Sequence, residues 1–151
     1  MRRIYKQNHM NQVNFPLRLG RIRKALRAEF ELRANDLGIT AAQFQVLHRL
    51  WRGDGVLTSV LAKDISTTGS TLTGVLDRTE SKGWIRREAS ASDRRAVEIW
   101  LTREGRELEK PLMKIVHEIG EKALSGFSEN QRAQFLKALD KVAANLGSPV
   151  L

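Results

Sequence analysis

The chain has 151 residues, enough for one domain or one compact domain with helical extensions, and its 41% apolar content supports a core. It has no cysteine, which excludes disulfides, thiolate catalysis, zinc fingers and thiol-based redox sensing. The net charge of +9 favours a polyanionic partner such as nucleic acid, but residues 1–33 hold nine basic side chains against Glu29 and Glu31, a balance of +7, leaving +2 for the remainder. No apolar run approaches the roughly 18–20 residues of a membrane span. The stretch MRRIYKQNHMNQ has charge but no apolar core behind it, so no secretory signal is read. A soluble cytoplasmic protein without a membrane partner is expected.

After a polar arm, Phe15, Leu19, Ile22, Leu26 and Phe30 recur at helical spacing and predict a long first helix stopping near Leu37-Gly38. Thr40 with Gln43 forms a capping box for a second helix, whose apolar face is Phe44, Leu47 and Trp51, widened by Val46 and Leu50. Gly53-Asp54-Gly55 ends it. A short third helix runs from Thr58 to about Asp64 with Val60, Leu61 and Ile65 inward. Thr68 caps a fourth helix that reaches Lys82, buries Leu72, Val75 and Leu76, and stops at Gly83.

Trp84–Glu88 and Ala96–Leu101 read as two short strands joined by a polar loop. In the second, Val97, Ile99 and Leu101 alternate with polar or outward positions, as expected for a sheet with one buried face. Thr102 starts a fifth helix with Leu108, Leu112, Ile115, Ile119 and Ala123 on one face, and Pro111 inside it should bend it. Ser128 with Gln131 opens a last helix striped by Phe135, Leu139, Val142 and Leu146.

A helix followed at once by a hairpin with a basic tip is the layout of a winged helix-turn-helix. The fold class is therefore mainly α with a small β-hairpin wing. An N-terminal arm and dimerisation helix occupy 1–36, the DNA-binding domain 40–105, and C-terminal dimerisation helices 106–151. The terminal helices are longer than a winged domain needs for its own core, so their stripes are expected to pack against a second copy in a symmetric homodimer. The alternative is a monomer in which they cover one another. Two recognition helices about one DNA turn apart would suit a palindrome.

The DNA-binding candidates follow from this layout. Thr68, Ser70, Thr71 and Thr73, with Gly69, give the fourth helix a small, hydroxyl-rich start that can approach base edges and phosphates. Arg78 could reach DNA or pair on the surface with Asp77 or Glu80. At the hairpin tip, Arg94 and Arg95 suit a minor groove, with Asp93 placed to aim an arginine through charge-assisted hydrogen bonds. Ser90 and Ser92 can bind phosphate, and Arg86 and Arg87 add positive charge at the hairpin base.

With these residues placed, the chain resembles the MarR family of bacterial transcriptional regulators. The resemblance runs through Thr40-Ala-Ala-Gln-Phe-Gln-Val-Leu, Leu61-Ala62, Ser70-Thr-Leu-Thr73, Leu76-Asp-Arg78, Glu80-Ser-Lys-Gly-Trp-Ile-Arg86, Ser92-Asp-Arg-Arg95 and Leu101-Thr-Arg-Glu-Gly105, about two-thirds of the sequence. It implies a dimeric winged helix-turn-helix that represses from a palindromic operator until a small molecule binds. Two positions depart from the pattern. Gly74 stands where relatives often carry a basic or bulky residue, and Thr79 replaces a usual leucine.

The resemblance also implies a small-molecule effector, often an aromatic acid. Arg18 and Arg21 could pair with a carboxylate while His48 and Trp51, one turn apart, form an aromatic wall. The alternatives are solvated or DNA-contacting arginines and ordinary core packing by the two rings. His9, His48 and His117 lack metal-ligand spacing, so neither metal nor cofactor is expected. No phosphate loop, nucleophile–base pair or carboxylate cluster suggests an enzyme. The competing function is a sequence-indifferent architectural DNA-binding protein driven by the basic N-terminal arm.

Overall fold

A computed structural model describes residues 2–65, 67–91, 93 and 95–147, with only the backbone of residues 2–13. The chain divides into two compact units, Met1–Val116 and His117–Leu151.

In the first unit, α1 (Arg2–Arg33) runs straight through the predicted arm and includes Pro16. A single 3-10 turn, Asn35–Leu37, follows it. Helix α2 (Ala41–Trp51) has the expected capping box between Thr40 and Gln43. A strand absent from the sequence reading comes next, β1 (Val56–Leu57), then α3 (Thr58–Asp64) and α4 (Gly69–Ser81). Thr68 caps α4, and Gly83 after it adopts φ +71°, a conformation that suits a residue without Cβ.

The wing strands are β2 (Ile85–Ala89) and β3 (Val97–Leu101), antiparallel, with Ile85 opposite Leu101 and Ala89 opposite Val97. β1 pairs with the other edge of β3, Val56 opposite Ile99, so the hairpin is two strands of a three-stranded sheet in the order β1-β3-β2.

The predicted fifth helix is two helices, α5 (Arg103–Glu107) and α6 (Glu109–Ala123). Leu108 is the junction, which puts Pro111 in the first turn of α6. There its missing N–H has no helical acceptor to lose, so the expected bend becomes a break.

The core of this unit lies where α2, α3 and α4 meet the sheet. Val46, Leu47, Leu61, Leu72 and Ile99 are fully buried, each contributing about 1.5–3 kcal/mol through burial. Thr79 is also buried, and its hydroxyl donates to the Val75 carbonyl at 2.7 Å, which makes a polar group tolerable where a leucine is usual. Val60 faces outward, contrary to expectation, because a seven-residue helix can bury only one narrow side, and Leu61 takes it.

In the second unit, α7 (Glu129–Asn145) begins at the predicted Ser128–Gln131 capping box. None of its residues is buried, and Phe135, Leu136 and the following Leu146 are exposed. Phe127 and Phe135 rest on each other with ring centroids 6.0 Å apart.

Candidate nucleic-acid interface

The start of α4 is a cluster of exposed hydroxyls. Thr68 Oγ1 accepts from the Thr71 amide, lies 2.9 Å from Thr71 Oγ1 and 3.4 Å from Ser70 Oγ, while Thr73 Oγ1 donates to the Gly69 carbonyl at 2.9 Å. The positive end of the helix dipole points outward through these groups.

Thr71, Gly74 and Arg78 are spaced i, i+3, i+7 and so share one face of α4. Gly74 has no Cβ, and the Arg78 guanidinium occupies the room this leaves. Its Nη1 is 3.5 Å from where that Cβ would stand. The guanidinium therefore reaches back along the helix towards the hydroxyl cluster. Asp77 and Glu80, the surface partners considered for Arg78, bind Arg87 instead, at 2.7 and 2.8 Å. Glu80 also accepts from the Arg87 amide at 3.0 Å. Arg78 thus makes no ion pair among the described residues.

The wing differs from expectation at its base. Arg86 is engaged by Glu88 at 2.6 Å and donates to the Leu101 carbonyl at 3.1 Å, with its guanidinium over the Trp100 ring. Arg87 is neutralised by α4, as above. Neither is a free cation, because Glu88 follows Arg86 two residues along the same strand and α4 presents Asp77 and Glu80 to Arg87. Ser90 is only 3% exposed, tucked into the neck of the hairpin where its amide donates to the Ala96 carbonyl, so its hydroxyl is not offered to a phosphate.

At the tip, Asp93 Oδ1 accepts from the Arg95 amide at 2.9 Å and the Asp93 carbonyl accepts from Ala96. The carboxylate shapes the turn that presents the exposed Arg95. Ser92 and Arg94 lie outside the described residues.

Three braces hold this wing, and the sequence reading missed them. Asp54 Oδ2 accepts from the Leu101 amide at 3.1 Å and from Arg106 at 2.6 Å. Trp51 Nε1 donates to the Gly105 carbonyl at 3.0 Å. Thr102 Oγ1 donates to the Gly83 carbonyl at 2.6 Å. The Gly-Asp-Gly run signalled a helix end, but nothing local could reveal a carboxylate bonding 47 residues away.

The candidate effector residues are divided. His48 and Trp51 do meet, edge to face at 6.4 Å, in a half-buried ring row with Phe44, which also touches Phe30 of α1 at 4.7 Å. Arg18 and Arg21 are not gathered with that row in the chain. Both are exposed, and they precede Phe30 by twelve and nine residues. At 100° per residue Arg21 lies on the side of α1 opposite Phe30, and Arg18 a third of a turn away. Among the described residues no group of His, Asp and Glu could hold a metal ion.

Comparisons with known proteins bear on the family and the fold. A sequence model of the MarR family matches residues 39–97, the span from the start of α2 into β3. An HTH-type transcriptional repressor of Mycobacterium tuberculosis is 29% identical over 127 residues, covering 84% of this chain and 91% of that protein. A solved MarR transcriptional regulator from Methanosarcina mazei is 27% identical with a TM-score of 0.78, covering 84% of this chain and 94% of that one. A second solved transcriptional regulator is 34% identical with a TM-score of 0.76, covering 88% and 98%.

Proposed function

The chain belongs to the MarR family, and from that premise we infer that this DNA-binding transcriptional regulator is a repressor that binds a palindromic operator as a homodimer. It is not an enzyme. The observation that carries the reading is the line on α4: an exposed hydroxyl cluster, a glycine gap, and an arginine laid over that gap without an ion pair among the described residues. Base edges of a major groove are the natural complement of such a face, with Arg95 and the wing tip beside it for the backbone or minor groove.

A second copy is the proposed cover for the uncovered apolar residues of the terminal helices. Phe15, Ile22 and Leu26 on α1, and Phe135 and Leu136 on α7, are 38–51% exposed. The two halves of a palindrome would then be read by the two copies of α4. Such a protein works in the cytoplasm, and among the described residues no helix is long and apolar enough to cross a membrane.

The effector is proposed to be a small aromatic molecule that stacks on the half-buried His48–Trp51 row. Trp51 is tied to Gly105 beside β3, so a ligand that shifts the indole would be felt at the wing. The geometry does not favour Arg18 and Arg21 as its carboxylate clamp.

Arg78→Ala tests the reading. Binding to an operator fragment from DNA flanking the protein's own gene should weaken by about 1–3 kcal/mol, with a smaller loss on scrambled sequence. Equal affinity of the wild type for both duplexes would favour the architectural alternative. Unchanged operator binding by the variant would remove α4 as the reader.

A further inference from the structure

We propose that the polar side of α1, carrying Arg18, Arg21, Arg23 and Lys24, is a second duplex-binding surface that grips phosphates outside the segment read by α4. The inference rests on the DNA-binding reading above, but concerns different residues and a sequence-independent contact.

The first observation is where free positive charge resides. The first 28 residues contain no carboxylate, and Glu29 is the earliest in the chain. Arg18, Arg21, Arg23 and Lys24 are exposed and make no ion pair among the described residues, whereas Arg27 is taken by Glu31 and Arg33 by Glu29. The winged module is the reverse. Arg49 is bound to Asp64, Arg86 to Glu88, Arg87 to Asp77 and Glu80, and Arg106 to Asp54. The winged module has spent these four arginines on its own fold, and α1 has kept four cations, three arginines and a lysine.

The second observation is their arrangement. With Phe15, Leu19, Ile22 and Leu26 on one side of α1, the four cations lie around the remaining arc. From residue 18 to 24 the helix rises only about 9 Å. Like charges three residues apart, as at 18, 21 and 24, weaken a helix, so the arc costs stability and gains no ion pair among the described residues in return. A dense line of phosphates is its electrostatic complement. Arg21 and Lys24 lie opposite the apolar side left for the second copy, and Arg18 and Arg23 stand at its two borders, where long side chains can turn outward.

The test is the salt dependence of binding to a mixed-sequence duplex of roughly 60 base pairs, for which no operator is needed. The variant Arg18→Gln/Arg21→Gln/Arg23→Gln/Lys24→Gln keeps good helix formers in place. The slope of log K against log salt should fall by about 3 to 4 per bound copy if all four groups meet phosphates, thus by about twice that for a homodimer, and affinity at low salt by at least about tenfold. A charge-retaining variant, Arg18→Lys/Arg21→Lys/Arg23→Lys, should keep the wild-type slope. Lys137→Gln/Lys141→Gln, which lowers net charge on α7, should leave the slope nearly unchanged.

Three results overturn the proposal: an unchanged slope in the glutamine variant, an equal loss in the lysine variant, or an equal loss in the α7 control. A glutamine variant that keeps its DNA slope but loses binding to vesicles containing phosphatidylserine would assign the face to a lipid surface instead, and also overturns it. Loss of operator discrimination by Arg78→Ala with an intact α1 slope would leave both readings standing, so the two fail separately.

Discussion

Gly105→Ala sets two opposed effects against each other. In the middle of a short helix, replacing glycine by alanine ordinarily stabilises by about 0.4–1 kcal/mol, because glycine loses more backbone freedom on folding. At Gly105 a Cβ would stand 2.0 Å from the Trp84 carbonyl oxygen and 3.0 Å from its carbon. That oxygen is backbone and accepts from the Thr102 amide at 3.1 Å, so it cannot retreat without breaking the junction between the wing and α5. The Gly105 carbonyl meanwhile holds the Trp51 indole at 3.0 Å. Overpacking of this kind costs about 1–3 kcal/mol, and one or two weakened hydrogen bonds add about 0.5–1.5 each. The clash should win, with a net loss of about 2–4 kcal/mol and a fall in Tm of roughly 5–15 °C. Gly120→Ala on α6 is the control, since a Cβ there meets nothing within 4 Å and the same change should stabilise slightly. Urea denaturation of both variants decides the matter. A Gly105→Ala protein as stable as the wild type, or more so, would refute the packing argument.

Arg87→Met should cost about 1 kcal/mol, since its partners Asp77 and Glu80 are partly exposed and such pairs are individually weak. It should also lower operator affinity, because two carboxylates are released beside Arg78; unchanged affinity in gel-shift titrations would contradict that. In the second unit, the hydrogen bond from Arg132 and then its charge hold the Glu121 carboxyl below its usual 4.5. A depressed carboxylate stabilises the fold above its unfolded pKa and loses that contribution as pH falls through its folded value. Arg132→Met should therefore flatten the acid limb of stability between about pH 6 and about pH 3, a small effect at so exposed a pair. Identical urea midpoints across that range would exclude it.

What the sequence revealed depended on how local the cause was. Thr40, Thr68, Thr102 and Ser128 cap helices as expected, because a cap needs only its own hydroxyl and an amide three residues on. The period of two placed Ile99 and Leu101 inside the sheet, but β1 has two residues and thus no period to detect. Pro111 marked an interruption, while its form as a break at Leu108 depended on where the chain could restart a helix. In the candidate site, the clustering of the hydroxyls was legible in the sequence and the pairing of the charges was less so. Arg78, Arg86 and Arg87 look alike in sequence, and only the approach of β2 to α4 decides that Arg87 takes both Asp77 and Glu80.

That contest over carboxylates also explains how a module of modest net charge can work as a reader. Pairing Arg87 with two acids of α4 removes a cation from the wing, yet by occupying those acids it leaves Arg78 without an ion pair among the described residues. Pairing Arg106 with Asp54 and hydrogen-bonding Asp54 to Leu101 similarly turns charge into wing rigidity. The paired arginines of the module thus hold geometry, and exposed Arg95 is left to face outward from the braced wing. Bulk attraction, which needs number and not placement, is concentrated on α1, where no carboxylate before Glu29 competes for it. On the proposed roles of α4 and α1, specificity and electrostatic affinity should separate in this chain: changes on α4 should alter which sequence is preferred, and changes on the polar side of α1 should alter how steeply salt weakens every duplex.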